Sequence, residues 1–116
     1  MEELRIIVSC DIEAGKADEF KTTAGQLLSA VREKDSGTSS YDWFMTEDGS
    51  RAKVQESYVS SDALMEHMGN MGRPLEHISS ICSKVSIEVM GAPSPKVREA
   101  LAPFEPTIYS DAFQSL

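Results

Sequence analysis

A chain of 116 residues has the length of one domain, enough to bury a single core and too little to divide into two. Lys and Arg total 11 against 19 Asp and Glu, and the resulting net charge of −8 argues against nucleic acid or anionic membrane as a partner. No stretch approaches the roughly 20 apolar residues of a membrane span, and "MEELRIIVSC" carries acids where a secretory leader needs bases, so the chain is expected to be soluble and cytoplasmic.

"LRIIVSC" (4–10) is short, β-branched and apolar, the pattern of a central strand. From Gly15 to Lys34, Phe20, Ala24, Leu27, Leu28 and Val31 recur at three- and four-residue steps, which predicts an amphipathic helix closed by "DSG". A hairpin follows. Tyr41, Trp43 and Met45 share one face of its first strand, Val54, Glu56 and Tyr58 share one face of its second, and "TEDGS" joins them with Gly49 available for a positive φ. Ser60 or Ser61 can cap the next helix, whose apolar face is Ala63, Leu64, His67, Met68 and Met71. "MGNMGRP" should break or kink that helix before a second helical run from Leu75 to Cys82. "KVSIEVMG" alternates as a fourth strand, and "SPKVREAL" begins with a Ser cap and Pro95 in the first turn. "PFEPTIYSDAFQSL" is expected to lie across the body as an edge strand or arm.

The order β-α-β-β-α-β predicts an α+β fold of ferredoxin-like type, an antiparallel sheet with both long helices on one face. Residues 1–92 form this unit, and 93–116 form a helical extension and arm packed on it. The alternation sets Leu4, Ile6 and Val8 opposite Ile7, and Tyr41, Trp43 and Met45 opposite Phe44. A second apolar face needs a cover, so a two-fold homodimer joined sheet to sheet is expected. Cys10 and Cys82 match no metal or redox spacing and read as two reduced, buried thiols. With only His67 and His77 as further soft ligands, a structural zinc site is not expected.

The strand-to-helix passage "VQESYVSSDALMEHM" carries an acid and an aromatic at alternate positions, then a Ser-Asp-Ala-Leu helix start with a His one turn later. These are Glu56, Tyr58, Ser61, Asp62, Ala63, Leu64 and His67. This passage resembles the antibiotic-biosynthesis monooxygenase family, and the resemblance runs from the first strand through "KVSIEVMG". It implies a dimeric α/β barrel with a cavity between sheet and helices in each subunit. It further implies oxidation of quinols or other electron-rich aromatics by molecular oxygen with no metal or flavin cofactor. Another branch of such proteins binds or degrades haem, using an Asn on the first strand with a Trp and a His in the second helical region. "IIVSCDI" offers no Asn and His67 stands at the Trp position, so haem degradation is not expected, and haem binding through His77 remains only a third possibility.

His67 is therefore read either as a core histidine or as the base that takes a proton from a phenol or quinol. Glu56, on an otherwise apolar strand face, is either an orienter or second base, or a partner of Arg5 or Arg73. Trp43, Tyr41 and Tyr58 could make a flat wall for a planar guest, and Met65, Met68 and Met71 an adaptable lining, although packing explains both patterns. His77 reads as surface or rim, and the charges of "EEL", "REKD" and "TEDG" as solvated faces. The expected activity is a cofactor-independent, quinol-monooxygenase-like reaction on a small aromatic ligand. The alternative is a non-catalytic dimeric binding or structural protein of the same fold.

Overall fold

The computed structural model describes residues 3–116; Glu2 of the "EEL" segment lies outside them. The elements run β1 (Leu4–Ile12), α1 (Ala17–Lys34), β2 (Thr38–Met45), β3 (Arg51–Tyr58), α2 (Ser61–Ser80), β4 (Cys82–Met90), α3 (Pro95–Leu101), a 3-10 turn (Ala102–Phe104) and β5 (Thr107–Tyr109). The sheet order is β2-β3-β1-β4-β5. Its first four strands are antiparallel, and β5 adds to the edge in parallel with β4. This is the expected ferredoxin-like α+β arrangement.

The local signals act where the sequence puts them. Ser60 Oγ accepts from the Ala63 N–H (3.1 Å) and Ser94 Oγ from the Val97 N–H (3.3 Å), satisfying donors that a helix start leaves free. Gly49 takes φ 73° in the hairpin loop, a conformation that costs other residues free energy. α1 starts at Ala17 rather than Gly15, which lies in the preceding turn. The break expected in "MGNMGRP" is a kink: Gly72 adopts φ 55°, ψ −137°, Pro74 follows, and the helix resumes to Ser80. Its far end is reached two residues before the expected Cys82, which opens β4 instead.

Register builds the inner face of the sheet in rows. Tyr41, Glu56, Ile6 and Val89 form one row, and Trp43, Val54, Val8 and Ile87 the next. Two apolar clusters cover this face. The first gathers Phe20, Leu27, Val31, Met71 and Ile78 from α1 and α2; the second joins Leu4, Tyr58, Leu64 and Val89 to Val97 and Leu101 of α3. The backbone N–H of Ser94 donates to Ser61 Oγ (3.0 Å), tying the start of α3 to that of α2.

The outer face corrects the expected second apolar layer. Phe44 is 59% exposed there and Ile7 is half-buried, but their ladder neighbours are Lys53, Gln55 and Glu88, with Arg5, Asp42 and Ser86 nearby. β3 and β4 alternate strictly and put their polar set outward, so the apolar groups form a spot within a polar surface.

Candidate active site

At the seam between the two clusters the sheet and helices leave a cavity of about 130 Å³. Its wall includes Tyr41, Trp43, Val54 and Glu56 from the hairpin, His67 and Met68 from α2, and Leu101 and Phe104 from the C-terminal extension. Most of the wall is apolar, and Glu56 and His67 stand out against it.

His67 is buried. Its Nδ1 lies 2.7 Å from Asp35 Oδ2, and the same carboxylate accepts from Thr38 Oγ1 (2.7 Å) and Asn70 Nδ2 (2.8 Å). Asp35 is the residue at which α1 ends. Its N–H still bonds the Val31 carbonyl (3.0 Å), while its own backbone turns extended and carries the side chain to α2. The "REKD" segment is thus misread as solvated at this position, because the Asp35 side chain is only 1% exposed. Burial works to raise its pKa, but hydrogen bonds from Asn70, Thr38 and His67 outweigh it and hold the carboxyl below its ordinary value. For His67, burial lowers the pKa more than Asp35 restores it, which favours the neutral ring. An ionised carboxylate can only accept, so Nδ1 carries the hydrogen and Nε2 keeps the lone pair. Asp35, itself held by Thr38 and Asn70, fixes the orientation of the His67 ring.

Glu56 is fully enclosed and accepts the Tyr58 hydroxyl hydrogen. Burial pushes its pKa to about 7, the Tyr58 hydrogen bond holding it back and the Asp35 charge adding to the rise. Within the subunit Glu56 does not pair with Arg5 across the sheet: Arg5 faces outward and pairs with Glu3 (3.2 Å). Among the described residues no cation pairs with Glu56, and the positions beside it in the sheet are Ile6 and Tyr41.

Tyr41 and Trp43 line the cavity, whereas Tyr58 sits behind Glu56 and His67, fully buried. The rings do not form a flat wall. Tyr41 meets Trp43 at 88° and His67 at 65°, so His67 is clasped by Tyr41 and Tyr58 at centroid distances of 5.1 and 5.2 Å. Met68 lines the cavity, but Met71 is sealed in the α1–α2 core at 1% exposure, and Met65 packs on the second cluster. His77 is half-exposed and bonds Glu19 Oε2 through Nε2 (2.7 Å), away from the cavity wall. Cys10 and Cys82 are free thiols in the wall; burial first, then Cys82, pushes Cys10 up to about 12, which keeps it an unreactive thiol. Sequence reasoning missed Asp35, Thr38 and Asn70, together with the wall supplied by Leu75, Leu101 and Phe104.

Among the described residues no group of three or more His, Cys, Asp and Glu side chains is placed to hold a metal ion, and no helix is long and apolar enough to cross a membrane. Comparison with solved structures finds the same fold in MupZ from Pseudomonas fluorescens, at 19% identity and a TM-score of 0.87, covering 100% of this chain and 94% of that one. Rv0793 from Mycobacterium tuberculosis matches at 20% identity and a TM-score of 0.68, covering 79% of this chain and 96% of that one. An antibiotic biosynthesis monooxygenase matches at 18% identity and a TM-score of 0.69, covering 78% and 99%. No curated protein matches the chain. The family model of antibiotic biosynthesis monooxygenases matches residues 4–73, the stretch that holds Asp35, Tyr41, Trp43, Glu56 and His67. The chain belongs to the antibiotic biosynthesis monooxygenase family.

Proposed function

We propose that the chain is a cofactor-independent monooxygenase that oxidises a quinol or small electron-rich aromatic with molecular oxygen, using His67 as base. The observation that carries this reading is the Asp35–His67 contact of 2.7 Å at the wall of an apolar cavity. His67 Nε2 takes the phenolic proton, and the low-dielectric surroundings leave the aromatic oxyanion poorly solvated, which favours electron transfer from it to oxygen. For 1-naphthol the balance is one O₂ consumed, one oxygen atom placed on the ring to give a naphthoquinone, and the other released as water with the two displaced hydrogens. Glu56, titrating near 7, stands one row from Trp43 and serves as orienter or second base; Tyr41, Trp43 and Met68 shape the guest. Tyr58 and Met71 act from behind the wall, Tyr58 by donating to Glu56. The family resemblance supports a sheet-to-sheet homodimer as the working assembly.

Oxygen uptake with 1-naphthol and menadiol tests this. The expected result is uptake well above buffer that His67→Ala abolishes. Uptake equal to buffer across such a panel would leave a non-catalytic binding protein of the same fold. One observation favours a second reading: an imidazole oriented by a buried carboxylate also activates water, and the buried Trp43 indole N–H has no acceptor among the described residues. That reading predicts His67-dependent hydrolysis of a small aromatic ester without oxygen uptake.

A further inference from the structure

Glu56 and His67 of the cavity lie in one part of the chain, and a share of its apolar enclosure lies in another. Tyr41, Trp43, Glu56 and His67 all lie within residues 4–73, the part matched by the family model. Leu75, Val85, Ile87, Leu101 and Phe104 lie beyond it, in the second half of α2, in β4 and in the C-terminal extension. Leu75 and Phe104 are the most exposed of these, at 39% and 47%, so the cavity wall reaches solvent at both. Large apolar side chains left half in water at the mouth of an apolar cavity gain free energy when a ligand covers them. The enclosed volume of about 130 Å³ is close to that of a dry cavity that accepts one benzene-sized ring, of roughly 150 Å³.

We infer that the chain beyond residue 73 selects the substrate: a one-ring phenolic head enters the cavity, and an apolar tail on it leaves between Leu75 and Phe104. This rests on the oxidation reading above for the identity of the head, and it adds the tail and the residues that recognise it. The hydroxyl of the head faces His67, the ring is walled by Val54, Ile87 and Leu101, and the first methylenes of the tail cover Phe104 and Leu75.

Trp43 is the chain's single tryptophan and lines the cavity, so its fluorescence reports occupancy directly. Titration under nitrogen with phenol and with 4-hexylphenol separates head from tail. The expected result is roughly 15- to 60-fold tighter binding of 4-hexylphenol, the gain from two or three buried methylenes. Phe104→Ala and Leu75→Ala should each remove most of that gain and weaken phenol binding by a much smaller factor; using both keeps the test standing if one variant folds poorly. Equal affinities for the two phenols, a gain that survives both substitutions, or equal losses for both phenols would overturn the proposal. Oxygen uptake measured afterwards isolates the other reading: tail-dependent binding without uptake defeats oxidation alone, and uptake without tail-dependent binding defeats the tail alone.

Discussion

Asp35 sits where a helix ends, a position at which a negative charge opposes the helix dipole, and its carboxylate is buried as well. Three donors offset that cost and one of them is His67, so the arrangement is better explained by orienting the imidazole than by closing α1. Asp35→Asn should free the His67 tautomer. With the negative charge gone the imidazolium loses its partner, so the His67 pKa falls further below its ordinary value; nitrogen NMR of the ring should show mixed tautomers, and oxygen uptake should drop about 100-fold. An unchanged tautomer pattern would reduce Asp35 to a structural cap. Glu56 supplies a second expectation at this scale. Its folded pKa of about 7 lies above the unfolded value near 4.5, so between these the folded state holds a proton that the unfolded state has lost. Stability therefore falls as pH rises from about 4.5 to 7 and then levels. Glu56→Gln removes this dependence. Denaturant titration should find the variant close to wild type at pH 4 and more stable at pH 8 by on the order of 3 kcal/mol. His67 and Glu56 were legible in the sequence because each is a lone polar group on an apolar stripe. Asp35 was not: it lies 32 residues from its partner in a run of charges, and only the packing of α1 against α2 brings the two together.

The elements were largely legible, because strand alternation, Ser caps and the Gly-Pro break each act within a few residues. What alternation could not show was which apolar side chains meet a cavity. Met68 and Met71 share the apolar stripe of α2, yet one lines the cavity and the other closes the core against α1, a difference that only the tertiary packing sets. The kink decides where the second half of α2 lies, since Leu75 and Ile78 in the wall follow it. Gly72 holds φ 55°, ψ −137°, close to backbone territory that is essentially glycine-only, and a Cβ there meets no neighbouring atom. The cost of Gly72→Ala is therefore conformational rather than steric, about 2 kcal/mol. Calorimetry should record a fall in Tm on the order of 8 °C, with Trp43 fluorescence reporting a shifted cavity. A variant as stable as wild type would mean that α2 can straighten without loss.

At the scale of the whole molecule, a net charge of −8 repels identical copies at long range, and the outer face of the sheet is more polar than strand alternation suggested. Pairing through that face therefore depends on fit and local charge more than on bulk burial. The face provides both. Phe44 projects at 59% exposure beside a trough of about 610 Å³ whose sides include Ile7, Ser9, Asp11, Arg51 and Lys53. A two-fold axis through the sheet would let each Phe44 enter the other copy's trough, and acids and bases on one surface can pair across such an axis. Phe44→Glu places a charge where the ring should be enclosed and leaves the cavity on the opposite side of the sheet untouched. Sedimentation equilibrium at micromolar concentration should find a dimer for the wild type and a monomer for the variant. A wild-type monomer would rule out pairing by this face. A variant that becomes monomeric yet binds 4-hexylphenol as before would show that each subunit holds its guest alone.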